Sequence, residues 1–593
     1  GADSALQVGA GETIIRMGRT DDAIVALELA VEASPFSERA HYLLGNGYAR
    51  KNYTQLYAAY PDRLAGDAGA AALAEADAAF AAGDYPSAGD YPSARAAYEA
   101  VDAAHPACAE TPARLGSLAF MERNYALARE HFVESLRRCP EYGRAHNGLS
   151  KALEAQRMAV EVHRAADQAR FDALETPEVP GLSTFVVNWD ALSDRHKKQV
   201  ALACQPWERF IPVLVESGAT YYIKPLHELL SQTPGQSTLR DQRINYDSRL
   251  WDDVRGCGGY HTVTGVEDVE RSIFNRYNTV LHELTHQAHG VLPSARATQI
   301  QDLYRATKVR EDAGEKVFLS RYAGGSVWEY FAEGANALYS PRRDAYDYRD
   351  IVRERLDAMD PPLRRLVEEI MFRASIDSCY VVGYVARGYQ AVEKAELEQA
   401  LGSFLEALGR DPRSEEALAA EANVRLLMVP EADRGKPERY ARLFERSEEA
   451  LAMHPQSASL VLQHAQTLRH GGKPLAGILV FLNRARDQVN ETERYRVDAE
   501  IGRLAWTAGE AQAALAAYER VLDYQSDSPE GLWGAAQAHA LAGNWEPAWK
   551  LYEEAVRLRT GVVGLRTDYA VDLPRAGETA RARIARTGRR RPL

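Results

Sequence analysis

Apolar positions along most of this chain recur at helical intervals, and one short set of intervals returns many times. Ala23, Leu27, Ala30 and Pro35 are separated by 4, 3 and 5 residues. The same spacing recurs at Ala94, Tyr98, Val101 and Pro106, and at Ala128, Phe132, Ser135 and Pro140. It returns late in the chain at Ala400, Phe404, Ala407, Pro412 and at Leu443, Ser447, Ala450, Pro455, then more loosely at Ala514, Tyr518, Val521 and Ala548, Tyr552, Ala555. Small residues let two helices approach, the large one fills the groove between them, and proline stops the second helix. The pattern predicts stacked helical hairpins, with Leu44-Gly45 and Tyr48, and Leu115-Gly116, where the next hairpin begins to pack. Leu64 to Ala82 is Ala-rich and fits less well, and the duplicated hexapeptide Gly83-Asp84-Tyr85-Pro86-Ser87-Ala88 reads as a lengthened turn.

The helical pattern stops at Thr176-Pro177-Glu178-Val179-Pro180-Gly181. Ser183 to Trp189 and Ala219 to Ile223 then read as strands, rich in β-branched and aromatic residues, and His261 to Thr264 as an edge strand over a cleft. Ser193 to Ser217 reads as helix with Ser193 as its cap. Val269 to Val280 is amphipathic and reads as the early turns of a helix running on into Leu281-His282-Glu283-Leu284-Thr285-His286. Gly290-Val291-Leu292-Pro293 ends it. Further helices are predicted over 295–319, 327–338, 348–373 and 375–386. The outer stretches resemble tetratricopeptide repeats, a resemblance that implies surfaces for a protein partner.

Composition narrows the choice of function. An apolar content of 46% and a charged content of 26% are those of a globular protein. A net charge of −13 argues against nucleic acid as a partner, since phosphate binding needs clustered positive charge. No apolar run approaches the ~20 residues that span a bilayer. Cys108, Cys139, Cys204, Cys257 and Cys379 are scattered and form neither a disulfide framework nor a thiolate metal site. The chain begins at Gly1 without Met or a signal-like segment, which sets the expectation of a removed leader and an extracytoplasmic location, with the compartment left open.

The candidate chemistry lies in the middle. His282 and His286 are four apart, so on a helix they share a face and can hold a zinc ion, with Glu283 one step around the helix. With 15 His and 84 acidic residues in 593, chance supplies fewer than about 0.06 such His-Glu-x-x-His matches even with every acid counted as Glu (15 × 15 × 84 ÷ 593²). A catalytic zinc site takes a third protein ligand and keeps one position open. Glu329 and Glu333, again four apart, are the candidates, because carboxylates beside Trp328, Tyr330 and Phe331 are costly to bury unless bound to a cation or hydrogen-bonded. His289 lies seven residues after His282 and reads as a cleft-lining residue outside the ligand set. His227 and His261 read as ordinary packing histidines, and Trp328 and Tyr330 as core.

The segment His282-Glu283-Leu284-Thr285-His286, then Tyr322, then Glu329-Tyr330-Phe331-Ala332-Glu333, resembles the zinc peptidases grouped with anthrax lethal factor and the pro-pro endopeptidases. Tyr322 precedes Glu329 by seven residues, as in their pattern. That resemblance implies His282, His286 and Glu329 as zinc ligands, Glu283 as general base, Tyr322 as oxyanion donor and Glu333 as an outer support orienting a ligand histidine. Glu333-Gly334-Ala335-Asn336-Ala337 also resembles a stretch of the zinc aminopeptidases related to leukotriene A hydrolase, in which the Glu equivalent to Glu333 is the ligand. The expected fold is mainly α, with tetratricopeptide-like repeats on both sides of a central α+β zincin-like metallopeptidase domain. The expected boundaries are repeats over 1–175, peptidase over 176–388, repeats over 389–574 and a basic tail over 575–593. The function expected is a zinc-dependent (Zn2+) endopeptidase acting on a protein or peptide substrate. The alternatives are an interaction scaffold with a structural or degenerate zinc site, and a zinc aminopeptidase.

Overall fold

The structure, a computed structural model, describes residues 2–64, 67–82, 91–160, 162–244, 248–274, 277–340 and 351–558. The duplicated hexapeptide, Arg342 to Tyr348 and the basic tail lie outside the described residues. The periodic positions are where the repeat helices bury themselves. Ala128, Phe132 and Ser135 are buried on the helix Tyr125–Arg138, and Ala514, Tyr518 and Val521 on Ala511–Tyr524. Each large residue inserts between two neighbouring helices at a glycine. A Cβ at Gly116 or Gly148 would strike the Phe132 ring, and one at Gly502 or Gly534 would strike Tyr518. In both cases the glycines stand sixteen residues before and after the aromatic (132 − 116 = 16, 148 − 132 = 16). Aromatic ring into glycine gap, twice per hairpin, holds successive helices at close range.

Residues Gly1–Cys379 form one compact unit and Tyr380–Leu593 another. The second unit is helical repeats built on Ala400, Phe404 and Ala407, then on Ile478, Leu482 and Val497. In the first unit the N-terminal repeats bond directly to the central segment. Arg144 Nε pairs with Asp253 at 3.0 Å, Arg271 with Glu154 at 2.9 Å, and the Tyr125 hydroxyl donates to Glu270 at 3.2 Å. Glu270 also takes a bidentate pair from Arg195, both bonds at 2.8 Å. Burial alone would raise this carboxyl, but hydrogen bonds from His196 and Arg195 hold it far below the usual range.

The central α+β expectation is met only in part. Among the described residues there are two strands, β1 (Thr220–Lys224) and β2 (His261–Gly265), paired in parallel with Thr220 opposite His261 and Lys224 opposite Gly265. β2 is not the free edge, because Cys257 bridges antiparallel to Val263 on its other side. Ser183 to Trp189 is not a strand. Gly181, left-handed at φ 78°, starts a helical turn Leu182–Phe185 that buries Leu182, Phe185 and Val186, and only Val186 bridges to Tyr221. Consecutive buried residues here follow a helical turn, which the β-branched composition concealed. Ser193 caps Asp194–Cys204 as expected, its Oγ accepting from His196 N. The stretch predicted over 348–373 is two helices, Arg353–Met359 and Pro361–Phe372, divided where Asp360 caps the second and prolines open it. Among the described residues no helix is long and apolar enough to cross a membrane.

Two helices set the centre of the first unit. The expected continuous helix through Val269 and His282 is broken into Val266–Phe274 and Thr279–Gly290. Asn278 makes the second start, because its extended backbone lets its side chain accept from Leu281 N at 3.2 Å. The glutamate helix Val327–Leu338 matches its prediction and is capped by Ser326, which accepts from Glu329 N. Fully buried Asn336 accepts from Asn278 N at 3.2 Å and donates to Asn278 O at 2.7 Å. Behind the histidine helix, Trp207 Nε1 donates to Thr285 at 2.9 Å, and Gln287 donates to the Thr220 and Tyr260 carbonyls at 3.0 and 3.1 Å. Asn336→Ala strands the Asn278 amide and removes one of the two bonds to its carbonyl, which His282 N still reaches at 3.0 Å, and should cost about 1–3 kcal/mol. Calorimetry of the full chain should show the transition of residues 1–379 moving down while that of the C-terminal unit holds.

Candidate metal centre

His282 and His286 project from one face of Thr279–Gly290, and Glu329 faces them from the first turn of the glutamate helix. The Nε2 atoms of the two histidines are 3.1 Å apart. Glu329 Oε2 lies 3.0 Å from His282 Nε2 and 3.5 Å from His286 Nε2. These three donor atoms fall within 4.8 Å of one another, and among the described residues no other group of His, Cys, Asp and Glu does so. Glu329 Oε2 accepts no hydrogen bond despite its neighbours, and His282 Nδ1 has no partner either. Burial pushes the Glu329 carboxyl up, but the adjoining imidazoles outweigh it and bring the pKa far below the usual range. Glu333 stays outside this cluster.

The remaining predicted residues surround it. Glu283 sits at the margin of the cluster, its pKa raised by burial against the opposing pull of His282 and His286. The Tyr322 hydroxyl donates to Glu329 Oε1 at 2.9 Å, and its side chain is 59% exposed, so it can swing. Glu333 is buried and raised in pKa by that burial. Its hydrogen bond comes from Ser320 Oγ at 2.6 Å and not from a ligand histidine. Ser320 Oγ in turn accepts from the Tyr322 and Ala323 amides, both at 3.0 Å, so Glu333 steadies the turn that carries Tyr322. His289 is turned away from the cluster. Its ring packs on Trp328 at 4.1 Å and on Phe331 at 5.2 Å, and burial lowers its pKa to about 4.

Three neighbours carried too little sequence signal to be named beforehand. Gly258 lies so close to Glu283 that a Cβ there would come 2.9 Å from Oε2. The run Arg255-Gly256-Cys257-Gly258-Gly259 was the available hint. Tyr277 sits with its ring 5.4 Å from that of His282 and its phenol raised well above its usual pKa by burial, with carboxylates of Glu333, Glu283 and Glu329 nearby. Asn336 is the third. Of the residues read as structural, buried His227 bonds Ser117 at 2.9 Å, and His261 bonds Thr220 at 2.8 Å. Tyr330 is core, its hydroxyl donating to Asp360 at 2.5 Å. Trp328 is not core, since one side covers His289 and the rest is open at the start of its helix.

The tetratricopeptide repeat family profile matches residues 87–143 and 500–562. These stretches of the chain are tetratricopeptide repeats. Among solved structures, the chain is similar to a tetratricopeptide repeat protein of Thermus thermophilus at 20% identity, covering 33% of this chain and 99% of that one with a TM-score of 0.27. It is similar to PilF of Pseudomonas aeruginosa at 19% identity, covering 35% and 91% with a TM-score of 0.29. No match appears among curated proteins.

The geometry separates His289 from the ligand set in a way that stability measurements can read. His289→Phe keeps the packing on Trp328 and Phe331 and should change stability by less than about 1.5 kcal/mol. His289→Ala opens a hole between the helices and should cost about 2–3 kcal/mol. Equal losses in the two variants would show that the imidazole nitrogens, and not the ring volume, matter there.

Proposed function

We propose that this chain is a zinc-dependent endopeptidase built into a tetratricopeptide-repeat protein, with the repeats engaging a protein substrate or partner. The observation that carries the proposal is the convergence of His282 Nε2, His286 Nε2 and Glu329 Oε2 at 3.0, 3.1 and 3.5 Å. Ligands about 2.0–2.1 Å from a tetrahedral zinc stand roughly 3.3 Å from one another. The donor set fits: two imidazoles and a carboxylate oxygen that accepts no hydrogen bond. Three protein ligands leave a fourth position free, which is the arrangement of a catalytic site.

A zinc ion held there supplies Lewis acidity and a water acidified to a pKa of about 7. The chain's own residues do the rest. Glu283, made more basic by burial, takes a proton from the attacking water and returns it to the leaving amine. Gly258 packs against that carboxylate and limits where it can turn. Tyr322 trades its hydrogen bond to Glu329 for one to the oxyanion that develops on the scissile carbonyl, a contribution of about 3 kcal/mol by analogy with oxyanion-hole deletions. Glu333, through Ser320, keeps the Tyr322 turn in place.

A second reading is favoured by the family match, which falls on the repeats: a protein-interaction scaffold in which the same cluster holds a structural metal. The two readings part at Glu283, since a structural site has no use for a carboxylate beside an open coordination position. Glu283→Gln should leave zinc content intact and abolish hydrolysis of an unfolded protein such as β-casein. Glu329→Ala should lose stoichiometric zinc, whereas Glu333→Ala should weaken it only about 10–100-fold. Full proteolysis by Glu283→Gln, or its absence in the zinc-loaded wild type, would leave the scaffold reading.

A further inference from the structure

We infer that the N-terminal repeats form one wall of the cleft that leads to Glu283, and that this cleft takes a polar, extended polypeptide segment lying to one side of the bond to be cut. The inference rests on the peptidase reading and names its substrate class. Two cavities of ≈ 380 and ≈ 330 Å³ lie between the helices Glu38–Ala49 and Gly143–Val160 on one side and the central segment on the other. They share Tyr42, Lys151, Asp268, Arg271 and Thr279, so they are parts of one trough. Its ends are tied to the metal centre. Glu283 lines the smaller cavity, and Tyr277, whose ring is 5.4 Å from that of His282, lines the larger.

The wall is built to be straight and firm. A Cβ at Gly143 would lie 2.9 Å from the Gly45 carbonyl, so the two helices touch at their backbones. From that contact, Arg144, Asn147, Lys151 and Glu154 follow at helical spacing along one stripe of the second helix. Ten residues of helix cover about 15 Å, which is the length of roughly four to five residues of extended chain. The wall joins the central segment through ion pairs rather than a loose linker, with Arg144 on Asp253 and Arg271 on Glu154.

Charge sorts the ligand classes. The larger cavity presents three anions, Glu38, Glu154 and Asp268, and three cations, Arg39, Lys151 and Arg271. They are balanced in number and paired: Arg271 reaches Asp268 at 2.6 Å and Glu154 at 2.9 Å, Lys151 reaches Glu154 at 3.6 Å, and Glu38 and Arg39 pair with Arg157 and Glu12 beside the cavity. A surface without net charge gives no counterion-release gain to a polyanion, and its charged walls do not suit an apolar segment. A polypeptide backbone with polar side chains matches it, trading hydrogen bonds along both walls.

The test uses the full chain as Glu283→Gln, with fluorescein-labelled β-casein peptides of increasing length and anisotropy as the readout. Affinity should rise as residues are added on one flank of the peptide, levelling off after about four to five. Asn46→Trp, which fills the trough from the first helix, and Lys151→Glu, which upsets its charge balance from the second, should each weaken the long peptides about tenfold, or 1.4 kcal/mol, and leave the shortest unchanged. Because the variants stand on different helices, a folding defect in one does not decide the result. Affinity that ignores both variants, or that depends on neither flank, overturns the inference. Hydrolysis by the wild type, followed in parallel, keeps the two questions apart: trough-dependent binding without cleavage sinks the peptidase reading and leaves the trough standing, and cleavage with trough-independent binding does the reverse.

Discussion

The side-chain amide of Asn336 gripping the backbone of Asn278 sets the register on which the centre depends. It pins the start of the histidine helix against the end of the glutamate helix. At the opposite end, the His289 ring lies on Trp328, so the two helices are held antiparallel between two fixed contacts. Between them the spacing is arithmetic. Glu329, Glu333 and Asn336 fall on one face at i, i+4 and i+7, and Asn278, His282, His286 and His289 fall on the facing one. A slip of one residue in either helix would rotate its face by about 100° and scatter the cluster.

A shell of buried ion pairs surrounds this helix pair and reaches the repeats. Arg255 holds Glu267 with two hydrogen bonds at 2.6 and 2.8 Å while donating to three backbone carbonyls, those of Lys224, Pro225 and Leu226. Burial would raise Glu267, but Arg255 outweighs it and leaves its pKa at about 2. Pairs of this kind contribute little net stability, because desolvation offsets most of the attraction. Their effect is geometric: fixed forks and fixed acceptors allow one docking of the repeats on the central segment. The first repeats therefore belong to the same unit as the candidate metal centre. The C-terminal repeats belong to a separate unit.

What could be read from the chain beforehand depended on how local the determinant was. The repeat helices were legible because Ala23, Leu27, Ala30 and their counterparts carry a period that needs no knowledge of partners. The glutamate helix was legible to the residue, since Ser326 marks its cap and Leu338 the end of its apolar stripe. The break before Thr279 was hidden, because Asn278 becomes a cap only when Asn336, 58 residues away, receives its backbone. The helical turn at Leu182–Phe185 was hidden by strand-like composition that tertiary packing overrode. At the centre, spacing named His282 and His286 and offered Glu329 or Glu333, while Tyr322 and the preference for Glu329 came from the resemblance to the zinc peptidases; the structure brings His282, His286, Glu329 and Tyr322 together. Ser320, Gly258 and Tyr277 escaped because a lone serine, glycine or tyrosine has no meaning until a neighbour from elsewhere in the chain is beside it.

In the proposed zinc site the helix clamp holds three donor groups together against their mutual repulsion. Two imidazole nitrogens and a carboxylate oxygen lie within 3.0–3.5 Å of one another. Left to itself, such a cluster would open by turning side chains toward water. The Asn278–Asn336 bonds and the His289–Trp328 contact hold the two helices, and with them the three side chains, in register. A divalent ion bound as proposed would convert that opposition into attraction, and its binding free energy would add to the stability of the fold that prepares the site. Within the first unit, the N-terminal repeats are bonded to the segment that carries the cluster. An ion bound as proposed would act on the trough through one packed body, with the histidine helix, which gives His282 and His286 to the cluster and Thr279 and Glu283 to the trough, as the part both share.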